Sequence, residues 1–82
     1  MSKRVQSYSD IDTGDVCYWS EPEVGWMVYL PGCGAGVLSQ HSVTEHEDGT
    51  ITVHPSILMT GHAKGTATQK HGFLERGVWR DA

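Results

Sequence analysis

Two cysteines and five histidines are the residues of this 82-residue chain whose chemistry could go beyond packing. Structural zinc takes four ligands, mostly Cys thiolate or His nitrogen, placed by turns so that a tetrahedron closes. Cys33, His62 and His71 form the best trio. Cys33 sits in the turn Pro31-Gly32-Cys33-Gly34-Ala35-Gly36, and the two histidines flank a polar stretch over 61–70 that reads as a loop. The three are therefore expected at one end of a sheet, with Cys17, His41 or His54 as a fourth ligand. A plainer reading stays open, in which the histidines are solvated loop residues and the cysteine is a small buried thiol. There is no C-x-x-C, and His41 and His46, an odd separation apart, point to opposite faces of a strand. A zinc held here would be structural, because a lean core gains much from such a cross-link.

The same turn admits a nucleophile. Cys33 would act with His41 or His71 as base, an acid such as Glu45 as orienting group, and glycine-turn amides facing an oxyanion. Nothing in the sequence fixes that geometry, and a Gly-Cys-Gly turn serves the backbone as readily as chemistry. Gly32, Gly34 and Gly36 are not followed by a helical pattern, which excludes a dinucleotide fingerprint. Gly61-His62-Ala63-Lys64-Gly65-Thr66 lacks the order of a phosphate-binding loop.

The elements that must position these residues are strands. Asp15-Val16-Cys17-Tyr18-Trp19-Ser20-Glu21 and Trp26-Met27-Val28-Tyr29-Leu30 are rich in residues that suit a pleated surface, with Pro22 and Gly25 between them. The second run is apolar at every position, as a central strand covered on both faces would be. Asp48-Gly49 ahead of Thr50-Ile51-Thr52-Val53-His54 signals a hairpin. Pro55 demotes the end of that run to an edge or a bulge, after which Ile57-Leu58-Met59 resumes an apolar stretch. Phe73-Leu74-Glu75-Arg76-Gly77-Val78-Trp79 reads as a hairpin whose Gly77 supplies the left-handed residue of a three-residue turn. No window carries a 3.6-residue stripe. The expectation is an all-β fold: a small single-domain sandwich or partly open barrel of short antiparallel strands. Residues 1–13 are read as a flexible N-terminal arm and 14–82 as the single domain.

Six Lys and Arg against ten Asp and Glu give a net charge of −4, which offers no basic surplus to displace counterions from a nucleic acid. No stretch reaches the roughly 20 apolar residues that cross a bilayer, and residues 1–10 carry no apolar leader segment. The chain is therefore read as cytoplasmic, with Cys17 and Cys33 reduced.

The strings Gly25-Trp26-Met27-Val28-Tyr29-Leu30-Pro31-Gly32-Cys33-Gly34, Glu47-Asp48-Gly49-Thr50-Ile51-Thr52-Val53, Pro55-Ser56-Ile57, and His71-Gly72-Phe73-Leu74 with Gly77-Val78-Trp79 resemble an uncharacterised family of short phage and prophage proteins. The resemblance spans about Gly25 to Trp79. It implies a compact β-rich domain with a Cys- and His-containing site suspected to hold zinc, and it implies no established activity. Members carry further cysteines near the glycine-rich turn and before the final His-Gly-Phe, where this chain has Gln69-Lys70. Loss of the metal, or replacement of thiolates by histidines, would follow.

Trp19, Trp26 and Trp79 with Tyr18 and Tyr29 are many large rings for so short a chain. Their ordinary role is to fill the core. Tyr18 and Trp19 point to opposite faces of one strand, so one of the pair is expected at the surface as an interface anchor. The acids over 45–48 read as a solvated hairpin, or as a rim that steers a basic partner. Together these features favour a non-enzymatic interaction module of phage type that binds a protein partner, host-encoded or a defence component. The rivals are a small metal-dependent or cysteine hydrolase using Cys33, His62 and His71, and a minor virion or assembly component. Homodimerisation through an exposed edge next to Pro55 is open.

Overall fold

A computed structural model describes residues 2–63 and 66–82, with side chains outside 62–68. The strands are β1 (Ser2–Arg4), β2 (Val16–Glu21), β3 (Gly25–Leu30), β4 (Gly34–Val37), β5 (Ser42–Glu45), β6 (Ile51–His54), β7 (Ile57–Ala63), β8 (Thr66–Glu75) and β9 (Val78–Asp81). They form three small sheets, ordered β1-β2-β3-β4, β5-β6 and β7-β8-β9, which do not close into a barrel. All neighbours are antiparallel except β1, which runs parallel to β2. The expected all-β class is what the chain adopts. Among the described residues no helix is long and apolar enough to cross a membrane.

Local chemistry sets the turns. Pro31 and Gly32 form the corner between β3 and β4, with Gly32 at φ 82° and the Cys33 N–H donating to the Leu30 carbonyl at 2.9 Å, as a type II turn requires. Around Asp48-Gly49 the Asp48 carboxylate accepts from the Thr50 N–H at 3.0 Å and the Thr50 hydroxyl at 2.6 Å. The β8–β9 turn is tighter than its sequence indicated. Glu75 pairs with Val78, leaving only Arg76 and Gly77, both left-handed at φ 46° and 76°, the primed geometry that matches strand twist.

One face of the four-stranded sheet packs on the other two sheets. Val16, Tyr18, Val28 and Leu30 meet Leu38, Ile51, Val53, Ile57 and Leu74 there. Two seams hold the layers together. At the first, the Ser2 hydroxyl donates to the Gly77 carbonyl and accepts from the Trp79 N–H at 3.1 Å, joining β1 to β9 by a side chain. At the second, β7 crosses the glycine-rich turn so closely that a Cβ at Gly61 would lie 2.6 Å from the Cys33 Cα and carbonyl oxygen.

Two expectations are corrected. Residues 2–13 are not a loose arm. β1 extends the sheet, Lys3 pairs with Asp12 at 3.3 Å, and Arg4 reaches Glu45 and the Gly49 carbonyl, each at 2.9 Å. The following residues cross the outward face of β2, where the Tyr8 ring meets Trp19 edge-on with centroids 6.1 Å apart. Polar composition concealed this, because the anchoring is by ion pairs and main chain. The stretch 61–70, expected as a loop, contributes to the long β7–β8 hairpin, with Gly61 paired to Thr68 and Thr60 to Gln69.

Candidate functional site

Cys33 stands after the type II turn, half-buried against the core, with its Sγ 3.6 Å from the Met59 carbonyl oxygen. His71 lies opposite Leu58 in the β7–β8 ladder. Side chains alternate along a strand. Met59 and Gly61 face the core and the Cys33 turn, so Leu58 and its partner His71 face away. The backbone therefore sets Cys33 and His71 on opposite sides of this sheet, and the two do not converge. The His62 side chain lies outside the described residues. Among the described residues no three His, Cys, Asp or Glu side chains gather closely enough to hold a metal ion.

The remaining candidates separate as well. Cys17 is on the far face of the other sheet, its Sγ 3.6 and 3.7 Å from the Asp12 and Asp15 carbonyl oxygens. His54 precedes a cis proline and is exposed. His41 places Nε2 3.2 Å from the Ser56 carbonyl oxygen, while its buried Nδ1 has no hydrogen-bond partner.

Neither aromatic chosen as a surface anchor is at the surface. Tyr18 is 2% exposed and Trp19 fully buried. Tyr18 does face the core and Trp19 the opposite side, as alternation demands. The error lay in taking the opposite side as bare, since residues 8–15 cover it. The Trp19 Nε1–H donates to Glu21 at 3.2 Å, and the Tyr29 hydroxyl donates to the Thr13 carbonyl at 3.5 Å. Burial pushes the Tyr18 phenol above its ordinary pKa, partly offset by Arg4.

The outward face of β7-β8-β9 leaves large apolar side chains exposed among its described residues. Directly paired residues share a face, which assigns Leu58 with His71, Phe73 with Arg80, and Glu75 with Val78 to one side. Leu58, Phe73 and Val78 form a diagonal across the three strands, and Leu58 and Val78 are 59% and 60% exposed. Arg80 lies over the Phe73 ring at 5.5 Å and is hydrogen-bonded to Glu75. The His71 ring sits beside Phe73, with centroids 6.5 Å apart, and its Nε2 is 2.9 Å from the Ser56 hydroxyl. Sequence reasoning missed this face. Ile57-Leu58-Met59 is apolar throughout, so it does not reveal that Leu58 points outward.

A second surface feature is a cleft of about 430 Å³ between the β5–β6 tip and the β8–β9 turn, lined by Glu45, His46, Glu47, Asp48 and Arg76. His46 bonds Thr52 at 2.6 Å, and the Arg76 N–H donates to the same hydroxyl at 3.0 Å. The Asp48 carboxyl is held below its ordinary pKa by the Thr50 hydroxyl and N–H. Such a rim contributes a field that attracts cations at range.

No protein-family model, curated protein sequence or solved structure matches the chain, so function is argued from this geometry.

Proposed function

We propose that the protein is a non-enzymatic binding module that takes a protein partner on the outward face of β7-β8-β9. One observation carries the reading: Trp19, on the outward face of β2, is fully buried beside Tyr8, whereas Leu58 and Val78 stand more than half exposed beside half-buried Phe73 on the outward face of β7-β8-β9. Bare aliphatics around an aromatic, rimmed by polar groups, are the composition of a contact core. Arg80 defines the partner's chemistry. Its guanidinium lies over Phe73 and is shared with a single exposed carboxylate, Glu75. A partner offering apolar side chains next to an Asp or Glu complements both groups, since Arg is preadapted to bidentate carboxylate contact.

The test compares capture by the wild-type chain with capture by Leu58→Asp, Val78→Asp and a cleft control, Glu47→Lys. The reading requires one protein enriched by wild type and by the control, and lost with both face variants while their melting curves stay cooperative. Enrichment that survives both face variants overturns it.

A hydrolytic reading is favoured by a different observation, the Ser56 hydroxyl 2.9 Å from His71 Nε2. That contact joins a nucleophile to a base and moves the candidate nucleophile from Cys33 to Ser56. An acylating or fluorophosphonate probe that labels Ser56 in wild type but not in His71→Gln supports it. Equal labelling of the two sinks it.

A further inference from the structure

The fourth strand of the first sheet is an edge whose hydrogen-bonding groups face outward in a self-complementary pattern. The Leu38 N–H donates to the Trp26 carbonyl at 2.9 Å, just past the end of β4. In an antiparallel pair the residues that exchange hydrogen bonds alternate with residues whose main-chain groups point away. From Leu38 backward along the register, Gly36 and Gly34 bond to Val28 and Leu30, so Ala35 and Val37 turn both N–H and C=O away from β3. Among the described residues no strand pairs with that edge. Gly34–Val37 contains none of the proline or charge with which edge strands normally discourage pairing. Its other neighbour stays out of the way, since Met59 meets Gly36 from the core side of the sheet.

We infer that this edge is an isologous interface at which a second copy of the chain adds its own β4 antiparallel about Gly36. Under that two-fold axis Ala35 faces Val37 of the other copy and Val37 faces its Ala35. Each of these pairs exchanges two N–H···O bonds, so all four outward groups of each strand are matched. Gly36 meets Gly36 at the closely spaced position without side chains to collide. Any extended strand offers this main-chain alternation, but a second copy also sets Gly36 against Gly36 and repeats the same small and apolar side chains under a closed two-fold axis. The side chains agree: Val37 is 47% exposed and pairs with half-buried Met27, and Ala35 pairs with half-buried Tyr29. The apposed copy therefore extends two partly apolar rows across the axis. The product is one continuous eight-stranded sheet. The interface is small, so association is reversible and weak. It is separate from the β7-β8-β9 face, and either proposal survives failure of the other.

Sedimentation velocity over a concentration series, with hydrogen exchange read at individual amides, tests it. A monomer–dimer equilibrium is expected, with the Ala35 and Val37 amides gaining protection as concentration rises. Val37→Pro removes only an outward N–H and leaves the β3–β4 ladder whole. It should weaken dimerisation at least about tenfold, a loss of about 1.4 kcal/mol. Val37→Lys, which keeps every main-chain group, should do the same through charge at the axis. A chain that stays monomeric at about 1 mM, the weak end of specific association, overturns the inference. So does a dimer that ignores both variants, or protection that appears only with a foreign peptide.

Discussion

Replacing Gly77 by Ala tests the packing between the β8–β9 turn and the core at one atom. Gly77 has φ 76°, and a Cβ built on it would lie 2.5 Å from the Tyr18 hydroxyl oxygen and 3.0 Å from the Thr50 Cγ2. Two costs follow. A left-handed non-glycine residue costs about 1–2 kcal/mol, and forcing a carbon into filled space costs about 1–3 kcal/mol. Loss of unfolded-chain freedom offsets about 0.4–1 kcal/mol of this. The net destabilisation is about 1–4.6 kcal/mol, and for a domain of this size each kcal/mol lowers the midpoint by about 4–8 °C. Thermal unfolding of Gly77→Ala should therefore show a midpoint at least about 4 °C lower, with a matching fall in the urea midpoint. The hydroxyl identifies the cause. In a Tyr18→Phe background the oxygen is gone, so the sharpest overlap is relieved while the Thr50 contact and the backbone strain remain. The double-mutant cycle should show coupling of about 0.5–3 kcal/mol. A Gly77→Ala effect within about 0.5 kcal/mol of zero, or one equal in both backgrounds, would refute the placement of Tyr18 beneath this turn.

Ser2→Ala removes both hydrogen bonds of the β1–β9 seam and should cost about 1–3 kcal/mol in urea unfolding; an unchanged midpoint would return residues 1–13 to the status of an arm. Trp19 is fully buried while Trp26 and Trp79 are partly so, hence acrylamide should leave one tryptophan unquenched, and Tyr8→Ala should make it accessible. Asp48 has its folded pKa below the ordinary 3.8, so its contribution is present at neutral pH and is lost as pH falls from about that value through the lower folded one. Asp48→Asn should flatten that acid limb of the stability profile, and a variant that steepens it contradicts the hairpin geometry. With Cys33 and His71 on opposite faces, a chelator should leave the melting curve of protein purified without added metal unchanged. A large chelator-induced loss would support a structural zinc.

The strands were legible where β-branched and aromatic residues cluster. β2, β3 and the Asp48-Gly49 hairpin could be read because propensity and turn chemistry agree there. The glycine-rich turn was legible as a turn, but the close passage of β7 over Cys33 is a contact between distant segments that Gly61 does not announce. The stretch 61–70 was misread because its alternating small and polar residues suit a solvated strand as well as a loop. Surface candidates failed for a related reason. Whether Trp19 is bare depends on where residues 8–15 lie, and their anchors are ion pairs to Lys3, main-chain carbonyls and one tyrosine. Leu58 was hidden inside an apolar run, although alternation turns it outward. His71 has the Ser56 hydroxyl as its hydrogen-bond partner rather than a thiol.

The central claim is that a protein partner docks on the outward face of β7-β8-β9, and a photo-crosslinking amino acid placed in turn at Leu58, at Val78 and, on the outward side of the first sheet, at Tyr8 tests it most directly. The account predicts the same protein crosslinked from Leu58 and Val78, none from Tyr8, and peptides in the adduct that carry apolar residues beside an Asp or Glu. Crosslinks only from Tyr8, or none from either face position, would contradict it.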